Sequence, residues 1–279
     1  MTRKFLALSA FLGLLVAGPA LAASSQAPLK HVQWSFSGPF GSYDQAQLQR
    51  GFKVYREVCS QCHALNLVSF HDLGQPGGPF WDPKYPNPND NPYVKAIAAD
   101  YKVADIDPDT GENMQRAATS ADHPPAPYAN DTAAKATLGG APPDMSLLVK
   151  AREGGPDYVY SLVTGYAPAP QGLVVPPGKY YNPYMLSDLA SSWKGTGPAP
   201  VGGIIAMPPP LTAGKVSFDD GAPSTLDQEA KDVAAFLTWA SDPKMDQRKQ
   251  TGLAVLVYLA IFSGLLYASY RRIWRNVAH

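Results

Sequence analysis

The feature that most constrains this chain is a stretch of twenty residues without a single charge, residues 251–270. At the helical rise of about 1.5 Å per residue, such a stretch crosses the ~30 Å hydrocarbon layer of a bilayer. Arg271, Arg272 and Arg275 follow it directly, and the excess of basic residues on the inner side of membranes places the tail 271–279 in the cytoplasm. A buried core helix is the alternative, and it fits the basic flank less well. We therefore predict one C-terminal transmembrane helix.

The beginning of the chain has the pattern of a secretory signal peptide. Arg3 and Lys4 precede an apolar run over 5–16, and Ala20-Leu21-Ala22 offers a cleavage site with small residues. An uncleaved N-terminal anchor is the alternative. The resulting plan is a signal peptide at 1–22, an exported domain at 23–243, a juxtamembrane segment at 244–250, the membrane helix at 251–270 and the tail at 271–279.

Composition agrees with a loop-rich exported domain attached to a membrane. Charged residues make up 16% of the chain, and 23 basic residues balance 23 acidic ones, so the net charge predicts no nucleic-acid partner. All the acidic residues lie between 23 and 250, where 18 basic residues leave a net charge of −5. The 28 prolines and 24 glycines stay below the level that signals disorder.

Helical periodicity predicts a mainly α exported domain with long loop insertions. Asp44 is a suitable N-cap, and apolar residues then recur at helical spacing over 48–58, directly before Cys59. Prolines make most of 71–142 irregular, and its acidic segment 105–112 is predicted to be an exposed loop. Further helices are predicted at 93–99, 146–152 and 157–165, and from Ser224 onward.

The only two cysteines of the chain lie in Cys59-Ser60-Gln61-Cys62-His63. This order of residues attaches a c-type haem, because two thiols form thioethers with the haem vinyl groups and the adjacent histidine binds the iron. A redox-active dithiol would use the same cysteine spacing but favours alternating strands and helices. A structural zinc site needs four ligands, and no second cysteine pair exists. A structural disulfide across two residues would contribute little loop entropy.

The second axial ligand is less constrained by local pattern. The histidines besides His63 are His31, His71, His123 and His279, and the last is predicted to lie across the membrane. The exported domain also contains the methionines Met114, Met145, Met185, Met207 and Met245. Met207 lies in a stiff apolar loop of glycine and proline residues, which suits a thioether held against a haem. Local pattern leaves both Met207 and Met185 open.

We call the segment Cys59–His63 the haem box. Together with several other ordered motifs, it resembles the cytochrome c1 family, the haem subunits of the cytochrome bc1 (ubiquinol–cytochrome c reductase) complex. The resemblance covers nearly all of the chain after the leader, and its short secretory leader is typical of bacterial members. The matching segments are Phe52–His63, Pro142–Ser146, Ala151–Val159, Leu162–Tyr166, Tyr181–Tyr184 and Ile205–Pro209, followed by a late helix and a single C-terminal span.

The resemblance implies one covalently bound haem c with His63 and Met207 as axial ligands. It also implies that Arg152 lies near a haem propionate, whereas an ordinary solvated arginine is the alternative. Tyr158 is expected to line the haem pocket or, alternatively, to be a simple core aromatic. Pro142 and Pro143 are expected to offer a carbonyl to the His63 ring. The extra cysteine pair that some bacterial members carry before the methionine loop is missing here.

The implied function is electron transfer at the outer face of the bacterial inner membrane, with the haem domain in the periplasm. The chain would accept an electron from a Rieske iron–sulfur protein beside cytochrome b and pass it to a c-type cytochrome. It would be no enzyme on its own. Two rival functions are a membrane-anchored cytochrome c of another oxidase or dehydrogenase, and a membrane-anchored periplasmic thiol–disulfide oxidoreductase using Cys59 and Cys62.

The acidic segment 105–112 suggests how an acceptor is attracted. Its carboxylates, on Asp105, Asp107, Asp109 and Glu112, would steer a basic partner by long-range attraction. A solvated loop without such a role is the alternative.

Overall fold

The computed structural model describes residues 26–276, so the predicted signal peptide and the last three residues of the predicted tail lie outside the described residues. The helices are α1 (Gln45–Glu57), α2 (Phe70–Leu73), α3 (Pro92–Ala99), α4 (Asp131–Leu138), α5 (Pro156–Val163), α6 (Leu226–Ser241) and α7 (Met245–Trp274). The strands are β1 (Lys102–Ile106), β2 (Asn113–Ala117), β3 (Tyr180–Asn182) and β4 (Gly203–Ile205). The mainly α prediction is confirmed.

The packing of α1 against α6 forms the centre of the main core. Asp44 caps α1 as predicted, because its carboxylate accepts an amide N–H of the first turn at 3.1 Å. Gly51 lets the two helices approach closely, since a Cβ atom there would lie 2.0 Å from the carbonyl oxygen of Asp232. Phe52 meets Phe236 edge to face, with 5.6 Å between the ring centroids. The helix that ends at the haem box is therefore held rigidly by α6.

A buried ion pair crosses the same helix interface. Arg50 donates from Nε to the carboxylate of Asp232 at 2.8 Å and from Nη1 to Asp220 at 2.6 Å. The side-chain amides of Gln47 and Gln228 also donate to Asp232. Burial raises the pKa of Asp232, and the hydrogen bonds to Arg50 offset that effect only in part. This pair joins α1 to α6, and the buried carboxylate of Asp232 depends on the Arg50 guanidinium to compensate its charge.

The structure departs from the predicted loops and helices in two places. Residues 102–117 form an antiparallel hairpin of β1 and β2 rather than irregular chain, with Lys102 opposite Ala117 and Ile106 opposite Asn113. The predicted helix at 146–152 is wrong, because the segment forms a series of turns. The Asp144 carboxylate accepts the amide of Ser146 at 2.8 Å, and the Ser146 hydroxyl accepts the amide of the distant Leu67 at 3.0 Å, so the start of this segment is held by side-chain bonds to backbone that compete with a helix. The helices predicted near 93–99 and 157–165 are present as α3 and α5.

The second small sheet closes a separate part of the domain. Strands β3 and β4 pair antiparallel, with Tyr180 opposite Ile205 and Asn182 opposite Gly203. A small apolar cluster around Leu173 and Leu189 packs beside them. This sheet holds the chain directly before Met207.

The last helix, α7, is the one helix among residues 26–276 that is long and apolar enough to cross a membrane. It runs unbroken for 30 residues and includes the whole uncharged segment 251–270. Its residues from 250 to 274 are exposed, whereas Met245 at its start is buried against the domain. A long helix with its apolar side chains exposed is what a membrane span requires.

Candidate haem site

The haem box forms a compact turn at the end of α1. Cys59–Gln61 is a single 3₁₀ turn, and the amides of Cys62 and His63 both donate to the carbonyl oxygen of Cys59, at 3.1 and 2.9 Å. Both cysteines are free thiols. The continuous path from α1 into this turn presents two thiols and an imidazole within five residues, as a covalently attached haem requires.

The His63 ring has a defined orientation and tautomer. Its Nδ1 donates to the carbonyl oxygen of Pro143 at 2.8 Å, which confirms the predicted contact and assigns it to the second proline. Burial lowers the pKa of His63, so the neutral ring is favoured. With the proton on Nδ1, the lone pair of Nε2 remains available to bind a metal, as in most histidine-ligated metal sites.

The segment after Pro143 is tied to the chain that follows the haem box. The amide of Met145 donates to the Ala64 carbonyl at 2.9 Å. Asp144 accepts the amide of Asn66 at 2.8 Å. The fully buried Ser146 accepts the amide of Leu67 at 3.0 Å. The motif Pro142–Ser146 contains these side chains, but no local pattern indicates their partners at 64–67.

Tyr158 lies in α5 and is buried in the main core. Its hydroxyl donates to the sulfur of Met185 at 3.9 Å, a weak bond of the kind that thioethers accept. The Met185 sulfur is thus engaged within the protein, which favours Met207 over Met185 as a ligand. Both the pocket role of Tyr158 and the ligand role of Met207 stay predictions.

Met207 is half-buried and lies two residues after the end of β4. Its carbonyl oxygen accepts a hydrogen bond from the hydroxyl of Tyr166 at 3.0 Å. Asn182 in β3 is fully buried and donates to the Leu162 carbonyl in α5 at 2.8 Å. The methionine loop is therefore fastened to α5 through β3, and to the segment that follows α5 through Tyr166. No local pattern in the proline-rich loop indicates the bond from Tyr166.

Arg152 and the histidines His31 and His71 lie outside the haem box. Arg152 is exposed in the turns before α5, and its guanidinium donates only to the Ala151 carbonyl within the described chain, at 3.1 Å. It is thus available to a carboxylate, and its propionate role stays a prediction. His31 is bonded to Asp157 at 2.9 Å, and His71 contacts Gln75 at 3.0 Å.

Comparison with known proteins gives the family. The model of the Cytochrome C1 family matches residues 34–277. The chain belongs to the cytochrome c1 family. It is 40% identical to cytochrome c1 of Rhodospirillum rubrum, over 95% of this chain and 94% of that protein. It is 41% identical to cytochrome c1 of Blastochloris viridis, over 93% of this chain and 90% of that protein.

A third relative is longer. The chain is 39% identical to a protein named cytochrome b/c1 in Bradyrhizobium diazoefficiens, over 88% of this chain but only 35% of that protein. Family membership confirms the resemblance drawn from the motifs and, with it, the cytochrome c-like haem domain. It implies a haem cofactor and an electron-transfer role in the cytochrome bc1 complex.

The residues around the haem box fit a haem better than a redox dithiol or zinc. Burial, aided by the nearby Cys62, raises the pKa of the Cys59 thiol to about 12. A redox-active cysteine needs the opposite shift, because the thiolate is the reacting form. In residues 26–276 no group of three or more His, Cys, Asp or Glu residues is placed to hold a metal ion. Two thiols beside one imidazole with a free Nε2 fit haem c, in which the thiols attach the vinyl groups and the imidazole binds the iron.

Proposed function

We propose that this chain carries one covalently bound haem c and relays single electrons from a Rieske iron–sulfur protein to a c-type cytochrome. Cytochrome b and the Rieske protein are its expected partners in the membrane complex. The observation that carries the proposal is the His63 ring, fixed by Pro143 with Nε2 left for iron, next to the free thiols of Cys59 and Cys62. The chain itself breaks no substrate bond, so catalysis belongs to the complex.

Each site residue has a distinct part in this proposal. Cys59 and Cys62 would attach the haem, and His63 and Met207 would bind its iron from opposite faces. Haem supplies the reversible one-electron chemistry, and a methionine ligand raises its reduction potential. The neutral ring favoured at His63 is the form that binds iron. Arg152 would pair with a propionate, since arginine matches carboxylate geometry.

The proposed location follows from the two ends of the chain. An exported domain tethered by α7 would place the haem at the periplasmic face of a bacterial inner membrane, with the C-terminus in the cytoplasm. The exposed apolar helix and its basic end at Arg271 and Arg272 support this orientation. Accessibility of a cysteine introduced at each end of α7, tested with a membrane-impermeant reagent on intact cells, checks the orientation.

The attachment of haem is tested by extraction and spectroscopy. In the membrane fraction, a reduced-minus-oxidised spectrum should show c-type bands that remain with the protein after acid-acetone extraction. Cys59→Ala with Cys62→Ala should abolish the covalently held haem, whereas Ser60→Ala between them should leave it. Loss of all haem colour from the unsubstituted chain on extraction would contradict the proposal.

The ligand is tested by potentiometry. Met207→Leu should lower the haem reduction potential markedly, because a thioether ligand stabilises the reduced iron. Met185→Leu is the matched control and should change the potential little. If Met185→Leu lowered the potential and Met207→Leu did not, the ligand assignment would be reversed. Copurification with a cytochrome b and a Rieske protein distinguishes the proposed complex from another oxidase or dehydrogenase.

A further inference from the structure

A short turn beside the base of α7 exposes a large apolar side chain. Phe40 is 79% exposed, whereas Trp34 and Phe36 just before it are buried in the core. The segment 35–42 contains no ionisable side chain. Single exposed apolar residues are common on protein surfaces. Phe40 differs from them in its position beside the first turns of α7.

The turn is fastened to the first turns of α7. The ammonium of Lys249 donates to the carbonyl oxygens of Phe36 at 2.7 Å and Gly41 at 2.9 Å. On the same helix, the carboxylate of Asp246 accepts the amide of Tyr43 at 3.3 Å. The residue before Gly41 is Phe40, so both the turn and its exposed ring are held close to this level of α7.

The turn itself is compact and well defined. The amide of Ser42 donates to the carbonyl of Ser35 at 3.2 Å, which closes the segment. A Cβ atom at position 41 would lie 2.2 Å from the Ser37 carbonyl oxygen, so only glycine permits this shape. The exposed ring is thus presented by an ordered segment.

The level of the turn coincides with the membrane boundary that α7 defines. Lys249 precedes the uncharged segment 251–270 by two residues, about 3 Å along a helix. The headgroup region on each side of the hydrocarbon layer is roughly 5–8 Å thick. A side chain held beside Lys249 therefore lies in the headgroup region or at its boundary with the acyl chains, where aromatic residues are favourable.

We propose that the turn 37–41 is a second membrane contact, in which Phe40 inserts among phospholipids beside α7. This inference rests on the proposed anchoring of the chain by α7. A single helix leaves the soluble domain free to tilt about its base. A second contact restricts that tilt and keeps the haem domain at a fixed height above the lipid.

The test uses the full haem-loaded chain in nanodiscs of phosphatidylcholine and phosphatidylglycerol. Nitroxide labels are placed by Phe40→Cys, by Tyr258→Cys in α7 and by Ile106→Cys in β1, the last two both 63% exposed. Because haem attachment consumes Cys59 and Cys62, the unsubstituted chain should take up no label. Compared with the label at 106, the label at 40 should be reached more readily by oxygen and less readily by a water-soluble nickel complex, with values between those at 106 and 258.

The outcomes separate this inference from the anchoring itself. A label at 40 that the nickel complex reaches as readily as the label at 106 overturns the inference, while a lipid-buried label at 258 still supports the anchor. A label at 258 exposed to water contradicts both. A label at 40 shielded from both reagents indicates coverage by protein and overturns the assignment to lipid.

A second measurement leaves Phe40 unchanged. A phospholipid with a photoreactive group near its glycerol backbone should form adducts on the peptide that contains residues 37–41 of the unsubstituted chain. Adducts on α7 without any on this peptide would overturn the inference. Haem spectra identical to that of the unsubstituted chain verify that each labelled variant is folded.

Discussion

At the scale of single residues, this domain places polar side chains where they fix backbone around the haem site. Ser146, Asn182 and Tyr166 each bind main-chain atoms of a segment far away in sequence. None of the three has a role in redox chemistry. They act by holding the segments that carry His63 and Met207 in place, so their loss should change the behaviour of the ligands without removing them.

The hydrogen bond from Tyr166 to Met207 leads to a first prediction. Tyr166→Phe removes a donor to the methionine loop, a bond worth about 0.5–1.5 kcal/mol. If Met207 binds iron, its bond should break at a lower temperature and at a lower alkaline pH. The near-red absorption band of methionine-ligated ferric haem measures this. Tyr180→Phe, in β3 with its ring centroid 6.3 Å from that of Tyr166, should leave the band unchanged, and equal effects of the two variants would contradict the role of Tyr166.

The buried Asp232 leads to a second prediction. Arg50→Met leaves this carboxylate without its charged partner, which should lower the free energy of unfolding by about 3–5 kcal/mol at neutral pH. Because burial raises the pKa of Asp232, protonation of this group is more favourable in the folded than in the unfolded chain. Stability from this group is thus fully present below the ordinary pKa of 3.8 and is lost as pH rises through the folded-state pKa.

The pH dependence provides the check on the Arg50 variant. The destabilisation by Arg50→Met should shrink as pH falls and Asp232 becomes protonated, and denaturant unfolding at pH 7 and pH 4 measures it. Lys53→Met, which removes the pair with the exposed Asp219, should cost little at either pH. A loss that does not vary with pH would show that packing, not charge, explains the effect.

At the scale of elements, the β1–β2 hairpin gives structural partners to some carboxylates of the acidic segment 105–112. The guanidinium of Arg116 hydrogen-bonds to Asp105 and holds the pKa of that carboxyl below its usual range. Asp107 accepts the amides of Asp109 and Thr110 and so forms the turn of the hairpin. Two of the four acidic side chains therefore have structural partners.

The acids that remain for steering a basic acceptor are Asp109 and Glu112. A unit charge 10 Å away in water contributes about 0.4 kcal/mol, roughly a factor of two in rate. Asp109→Asn with Glu112→Gln should thus slow reduction of a basic acceptor about fourfold at low ionic strength. The difference should vanish at high salt. Stopped-flow rates measure it, with Asp131→Asn in α4 as a control, and a salt-independent rate would contradict steering.

At the scale of the whole molecule, the domain has one strong core and one weak region. Helices α1, α5 and α6 contribute half of the buried apolar residues of the main core. By contrast, the segment 167–211 has two three-residue strands and a cluster of three buried apolar residues. A bound haem that contacts Met207 would link this weak region to the core.

Removing the haem should therefore loosen the methionine side of the domain first. In the chain with Cys59→Ala and Cys62→Ala, trypsin should cut at the exposed Lys179 and Lys194 roughly tenfold faster than in the haem-loaded chain, as a local loss of ~1.4 kcal/mol implies. Mass spectrometry of early fragments measures this. Cleavage in α1 or α6 at the same rate would indicate global unfolding instead.

The sequence alone determined the parts of this protein that depend on local pattern. The cysteine spacing with its histidine, the uncharged length of 251–270 and the N-cap of α1 each follow from chemistry within a few residues. The mainly α fold follows from the same periodicity, and the ordered motifs identified the family. Met207 was open to local pattern and became the preferred ligand only through the resemblance.

Tertiary structure decided what depends on segments far apart in sequence. Three hydrogen bonds join residues separated by long stretches of chain: from His63 to Pro143, from Tyr166 to Met207 and from Tyr158 to the sulfur of Met185. The attachment of the turn around Phe40 to Lys249 joins residues more than two hundred positions apart. Such contacts depend on how helices pack and loops close. No local periodicity encodes them, because their energy comes from the whole core being in place.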